Sequence, residues 1–378
     1  MSTKKRILIL ENSTHVTGAL KSIVRTSYDL RSDFDFVFVI PTGSKGRYLI
    51  ERFGFLNVYE LPLKELGRKL LLILLYLPYL IANTVRVHRL LKKEHVDIIH
   101  SNDLYNLIPV VYKIFGGSVP YVCHIRFLPG GFPRYLFNFW FRLHKRFASR
   151  IVVVSQYLKA QLPVNSKVEY IPNELPIDEI YPAASDEIEK QSYTFLYLSN
   201  YIPGKGQDFA LEAFARIAPM LPFWRLRFIG GDMGLKKNWL YKQQLMQKAI
   251  TRGVYDRIEW GDFAKDTEFE YKKADIVLNF SESESFSITC LEALFWGRPL
   301  IATDCGGPAE IVDHNETGLL VSNRDVDAMT KAMYRLATDR HLRVALSCRG
   351  RIVSRDRFSL EKTSMKMSQV YLDVVNKN

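Results

Sequence analysis

Cysteine is scarce: four in 378 residues, Cys123, Cys290, Cys305 and Cys348, at no paired spacing. That excludes a disulfide framework and a zinc knuckle and suits a reducing compartment. No apolar run reaches the ~20 residues of a membrane-spanning helix. The stretch from Leu70 to Val85 is uncharged for 16 residues, but Pro78 interrupts it. The first apolar run, Ile7 to Leu10 in MSTKKRILILENS, is only four residues long. It reads as a strand and is too short for a signal peptide. No G-x-G-x-x-G follows it, which counts against a nicotinamide-dependent oxidoreductase. No D-x-D offers a metal site either: Asp33–Asp35 enters a strand and Asp325–Asp327 looks like a helix start.

Acidic residues are short in one half only. The formal net charge is +12. Residues 1–182 hold 25 Lys/Arg against 14 Asp/Glu, and the remainder holds 27 against 26. A basic first half beside a neutral second half points to an anionic partner for one domain, nucleic acid or an anionic membrane surface. Nucleic acid is disfavoured because no recognised binding motif is present.

What is plentiful is apolar sequence, 47% of residues with 24% charged, enough for two cores. Continuous runs at 7–10, 36–40, 97–100, 121–125 and 151–155 read as parallel strands buried on both faces. The habit returns at 195–199, 226–230, 276–280 and 299–303, with helical stretches such as 207–218 and 288–296 between. Alternation of this kind predicts an α/β fold of two doubly wound domains. Residues 171–192, with three prolines and an acidic cluster, read as the linker.

Two segments raise the question of a membrane. The stretch 70–85, flanked by Arg68–Lys69 and Arg86–Arg89, is either a helix covered by its own domain or one lying in a membrane interface. In the segment from Arg134 to Arg150, Phe137, Trp140, Phe141 and Phe147 fall near helical spacing and read as a core face. Its cations Arg142, Lys145 and Arg146 are a solvated rim or a contact for anionic headgroups.

The densest chemical signal is residues 281–321, SESESFSITCLEALFWGRPLIATDCGGPAEIVDHNETGLLV. A strand ends at Phe280, a polar loop follows and a helix begins near Ser287 and Ile288, whose free N–H groups suit a phosphate. Glu284 lies in that loop, and Glu292 follows eight residues later in the helix. Carboxylates at strand ends accept hydrogen bonds from sugar hydroxyls while the helix start takes phosphates, a pairing that suits a nucleotide sugar.

This block, E-x₇-E at Glu284–Glu292, then EAL-x-x-G-x-P-L-I-A-T and G-G-x-x-E-I-V, resembles the retaining nucleotide-sugar glycosyltransferases of glycosyltransferase family 4. LSNYIPGKGQDFALEAF (198–214), IGGD (229–232) and ADIVLNFSESES are similar to the same family, as are DIIHSND, VVVSQYLK and YIPNE in the first half. The resemblance implies the GT-B fold, two Rossmann-like domains facing across a cleft. It implies an acceptor-binding domain at 1–175, a donor-binding domain at 176–358, and a C-terminal helix at 359–378 packing back on the first domain.

Carried over, the family roles place donor-sugar hydroxyls on Glu284, the ribose on Glu292 and the diphosphate on Lys205. The family's loop arginine is replaced here by Asn200, which supplies neither its charge nor its bidentate fork. His124, with Arg126 beside it, matches the acceptor-domain histidine, and His100 is the competitor. Gly18, in the loop after the first strand, lies where the family places glycines facing the diphosphate, and Gly306 and Gly307, before a helix start at Pro308, permit close backbone approach to the donor. The implied reaction moves a sugar from a UDP-, GDP- or ADP-sugar to a lipid-linked or polysaccharide acceptor, with retention and with no metal or cofactor. The implied setting is bacterial surface-polysaccharide synthesis, on the cytoplasmic face of the plasma membrane. A nucleotide-sugar epimerase of the same fold, or a non-catalytic scaffold with a decayed donor site, are the alternatives.

Overall fold

The computed structural model describes residues 4–63, 70–175, 191–264 and 266–376. Residues 176–190, most of the expected linker and with it the expected domain boundary, lie outside them, as do Arg68 and Lys69. The chain divides into two units, Met1–Glu174 with Leu360–Asn378, and Leu175–Ser359.

Unit 1 holds seven strands: β1 (Lys5–Leu10), β2 (Phe34–Pro41), β3 (Val58–Leu61), β4 (Ile98–Ser101), β5 (Tyr121–Ile125), β6 (Arg150–Val153) and β7 (Val168–Tyr170). Their order is β3-β2-β1-β4-β5-β6-β7, and every pairing is parallel. Unit 2 holds β8 (Tyr193–Leu198), β9 (Trp224–Ile229), β10 (Ile258–Gly261), β11 (Ile276–Asn279), β12 (Leu300–Thr303) and β13 (Leu319–Val321), in the order β10-β9-β8-β11-β12-β13. These pairings are parallel as well. Each sheet therefore reverses its winding once, between β1 and β4 and between β8 and β11, and in such sheets ligands bind at that switch point.

The nine apolar runs of the sequence are the nine inner strands. The four strands that carry no such run, β3, β7, β10 and β13, are the four sheet edges. Edge strands β3 and β10 are partly exposed, and the polar residue in each (VYEL, IEWG) breaks the continuous apolar signature, while β7 and β13 are only three residues long.

In unit 1 the helix Leu360–Asn376 sets Met367, Val370, Tyr371 and Val374 against the β-sheet residues Ile7, Phe36 and Ile98. The uncharged stretch extends into one helix, Leu70–Lys93, with Pro78 inside it. No helix among the described residues is long and apolar enough to cross a membrane. The helix Arg134–Phe147 buries Phe137, Trp140 and Phe141 as expected, but its fourth core position is His144; Phe147 is half-buried.

His144 is wedged between Tyr121 Oη, 3.2 Å from Nδ1, and the Leu104 carbonyl, 2.8 Å from Nε2. Burial lowers its pKa to about 4. The unfolded chain therefore takes up this proton first, and stability is lost as pH falls from the ordinary histidine value toward 4, by about 3 kcal/mol. His144→Gln removes that proton, so its melting temperature falls less steeply than wild type across this acid window; identical slopes contradict the linkage.

Candidate active site

In unit 2 the switch point is framed by the loops after β8 and β11. The first loop ends at Gly206, the cap of helix Gln207–Ile217; the second ends at Ser287, the cap of helix Ile288–Phe295. Two helix starts, each with free N–H groups and the positive end of a dipole, thus open beside the same pair of strands. The expected start near Ser287 is the cap, and Ile288 is the first helical residue. Ser287 has φ +88, a left-handed backbone rarely tolerated by a residue with a Cβ. Its Oγ holds the turn by accepting from Asn279 Nδ2 at 3.0 Å and from the Cys290 N–H at 3.4 Å.

Lys205 and Glu284, 79 residues apart, meet at this point, with Nζ 2.7 Å from Oε1. Ser281 Oγ donates to the same Oε1 at 2.8 Å. The Glu284 loop lies alongside residues 305–307, the Gly307 N–H donating to the Glu284 carbonyl at 2.9 Å. A Cβ on Gly307 would stand 2.2 Å from Phe286 Cα. The close approach that Gly306 and Gly307 permit is thus to the Glu284 loop itself. Gly307 already begins the short helix Gly307–Ile311, one residue before Pro308.

Two residues hold the loops in place without any sequence signal. Tyr197, in the middle of β8, accepts at Oη from the Phe280 N–H at 2.8 Å and donates to the Lys205 carbonyl, tying one loop to the other. Within FLYL it reads only as core. Gln207, fully buried, donates to the carbonyls of Ser199 and Asn200. Asn200, at the family's arginine position, directs Oδ1 to the Gly231 N–H at 3.0 Å, joining the ends of β8 and β9. The neighbouring carboxylate Glu282 pairs with Arg324, another contact invisible in sequence. Glu292 is 2% exposed, with Thr267 Oγ1 3.5 Å from Oε2 and Tyr271 against it. Burial raises the Cys290 and Cys305 thiols, Cys305 to about 11, so neither is a thiolate nucleophile at neutral pH.

The remaining candidates lie in unit 1. Gly18 is the first residue of helix Gly18–Asp29 rather than a loop glycine, because Thr17 Oγ1 caps that helix by accepting from the Leu20 N–H. His124, 3% exposed on β5, lies with its ring 5.5 Å from that of His100 at a tilt of 51°, and among the described residues neither of its ring nitrogens has a hydrogen-bond partner. Burial, with Arg126 adding, holds His124 well below the usual histidine range and His100 at about 3. His100 Nδ1 is 2.8 Å from Tyr371 Oη.

The polar end of β5 is Arg126. Its Nε donates to Asn102 Oδ1 at 2.7 Å, and its Nη1 to Asn173 Oδ1 at 2.8 Å and Ser22 Oγ at 3.1 Å. Ser22 Oγ donates on to the buried Glu174, and Asn102 to the buried Glu11. This switch point is therefore filled by the chain's own charges. Among the described residues, no group of three or more His, Cys, Asp or Glu side chains is placed to hold a metal ion.

Two parallel, doubly wound Rossmann-like units are the architecture of the GT-B fold. Two family models cover most of the chain: Glycosyltransferase Family 4 over residues 29–178 and Glycosyl transferases group 1 over 183–353. The chain belongs to these group 1, family 4-type glycosyltransferases.

A GDP-mannose-dependent alpha-(1-6)-phosphatidylinositol monomannoside mannosyltransferase of Mycobacterium tuberculosis is 31% identical over 222 residues, 53% of this chain and 56% of that protein. An exopolysaccharide phosphotransferase of Streptomyces coelicolor is 34% identical over 143 residues, 37% of this chain and 14% of that protein. The chain thus spans about half, or much less, of these relatives' length. The Anabaena protein HepE, solved in complex with UDP and glucose, superposes with a TM-score of 0.83 at 19% identity, over 98% of this chain and 100% of that one. At that identity the likeness is one of fold.

Proposed function

We propose that the chain is a retaining, metal-independent glycosyltransferase that moves a sugar from a nucleoside-diphosphate sugar to a hydroxyl of a lipid-linked or saccharide acceptor. The reading rests on the Lys205–Glu284 pair set between two helix starts at the unit 2 switch point. Such a site joins anion-binding groups to a carboxylate, and a sugar nucleotide needs both. The bond from the anomeric carbon to the diphosphate breaks, and its electron pair leaves with the phosphate. The acceptor oxygen bonds to the same carbon from the same face, and its proton passes to the departing phosphate oxygen. Lys205 and the helix starts stabilise the charge that grows there, while Glu284 orients the sugar through its hydroxyls. Glu292 takes the ribose, a ribose hydroxyl replacing its long contact with Thr267.

The relatives' names support a nucleotide-sugar donor: one is GDP-mannose-dependent and acts on a phosphatidylinositol mannoside, and HepE holds UDP and glucose. Bacterial surface-polysaccharide synthesis on the cytoplasmic face of the plasma membrane fits these names and the basic first half.

The test is binding and turnover across UDP-, GDP- and ADP-sugars, with wild type beside Glu284→Ala. Selective turnover of one donor, lost in the variant and indifferent to a chelator, is the expected result. Binding of one donor with sugar transfer only after an acceptor is added agrees with it. Sugar interconversion without acceptor makes the protein an epimerase, and no binding to any donor makes it a scaffold.

A further inference from the structure

Among the described residues, the helices on one face of unit 1 carry no carboxylate. The crossovers β3→β4, β4→β5 and β5→β6 all advance in the same direction across the sheet. Right-handed connections therefore place helices Leu70–Lys93, Ile108–Ile114 and Arg134–Phe147 on one face, and the middle helix packs between the other two. Their sequences contain no Asp or Glu, and from Leu104 to Val168 the whole chain has none against nine Lys/Arg. The helices of the opposite face keep theirs: Asp29, Glu51, Glu361 and Asp373.

The acid-free layer also exposes apolar side chains in two stripes. Leu77, Ile81 and Val85 recur every fourth residue on one stripe of the first helix and are 47%, 50% and 45% exposed. On the third helix Tyr135 and Phe139, again four apart, are 74% and 53% exposed. Exposed cations follow each stripe toward the helix C-terminus: Arg86, Arg89 and Lys92 on the first, Arg142, Lys145 and Arg146 on the third. Cations in a last turn also suit the helix dipole. That does not explain five large apolar side chains left in water, nor the missing carboxylates.

We infer that this helical layer is the face by which the protein docks on an anionic lipid surface. The apolar stripes enter the interface and the cations meet the headgroups. Aliphatic side chains set among cations suit lipid, which rewards their burial; a nucleic-acid backbone does not. This names the membrane contact of the function proposed above and rests on that reading, but its test does not depend on turnover.

The full-length protein is sedimented with vesicles of phosphatidylcholine alone and of phosphatidylcholine mixed with phosphatidylglycerol, at low and high salt. Binding is expected only to the anionic vesicles, weakening with salt. The triple variant Arg142→Gln, Lys145→Gln, Arg146→Gln loses roughly a hundredfold in partitioning, at about one headgroup-facing charge per residue removed. Leu77→Ser with Tyr135→Ser weakens binding while leaving its salt dependence unchanged. Both variants alter only exposed positions, and unchanged melting curves show that they fold. Equal binding to neutral vesicles, or indifference to both variants, overturns the proposal. So does an oligonucleotide that binds wild type as tightly as the vesicles do and loses its binding in the same variants. Donor binding measured by calorimetry separates the two readings. Lost vesicle binding with intact donor binding sinks the surface alone, and the converse sinks the transferase alone.

Discussion

Lys205→Ala lowers kcat for sugar transfer by about a hundred- to a thousandfold, the cost of removing one preorganised group from a developing oxyanion. Asn200, where the family resemblance places an arginine, brings no charge to the task and spends Oδ1 on Gly231. The variant also leaves Glu284 without its ammonium partner, so a carboxylate faces an incoming diphosphate across the switch point. Donor affinity therefore falls as well, and Glu284→Gln placed in the Lys205→Ala background recovers part of it by removing the repulsion. Stability changes little, since a half-buried pair open to solvent contributes at most about 1 kcal/mol. Steady-state kinetics with melting curves check this. A kcat equal to wild type contradicts the role, and a collapse in melting temperature makes the pair structural.

Arg126→Ala destabilises unit 1 by about 3–5 kcal/mol, the usual cost of removing one partner from a buried charge network. The guanidinium binds Asn102, Ser22 and Asn173 directly and lies among the buried carboxylates of Glu174 and Glu11. Without it Glu174 keeps only Arg25 as a cation facing it, and Glu11 keeps the neutral Asn102. Arg126→Lys retains charge but not the fork, and recovers a minor part. Hydrogen exchange of the β1, β4 and β5 amides resolves the effect, because it reports on this unit separately. Protection equal to wild type contradicts it.

The inner strands were legible because burial on both faces leaves an unbroken apolar run. The edges were not, since partly exposed strands such as Val58–Leu61 carry a polar residue in a run of only four. The polar loop after β11 was legible too, with Glu284, Ser287 and the glycines at 306 and 307 in one continuous block. What lay hidden depended on residues distant in sequence. Tyr197 is an ordinary strand aromatic until its hydroxyl is seen between two loops. Asn173 and Glu174 are part of a linker-like YIPNE until Arg126 and Ser22 reach them.

The sequence by itself determined the class of the protein. Strand and helix periodicity, the charge asymmetry and one dense motif are local properties, each carried by neighbouring residues. Only the tertiary structure decided which groups meet. It brought Lys205 to Glu284, turned Asn200 away to the backbone of Gly231 and closed a charge network over Arg126. It also collected three acid-free helices on one face. Those outcomes depend on strand order and crossover handedness, which bring together residues far apart in the chain and which no local pattern encodes.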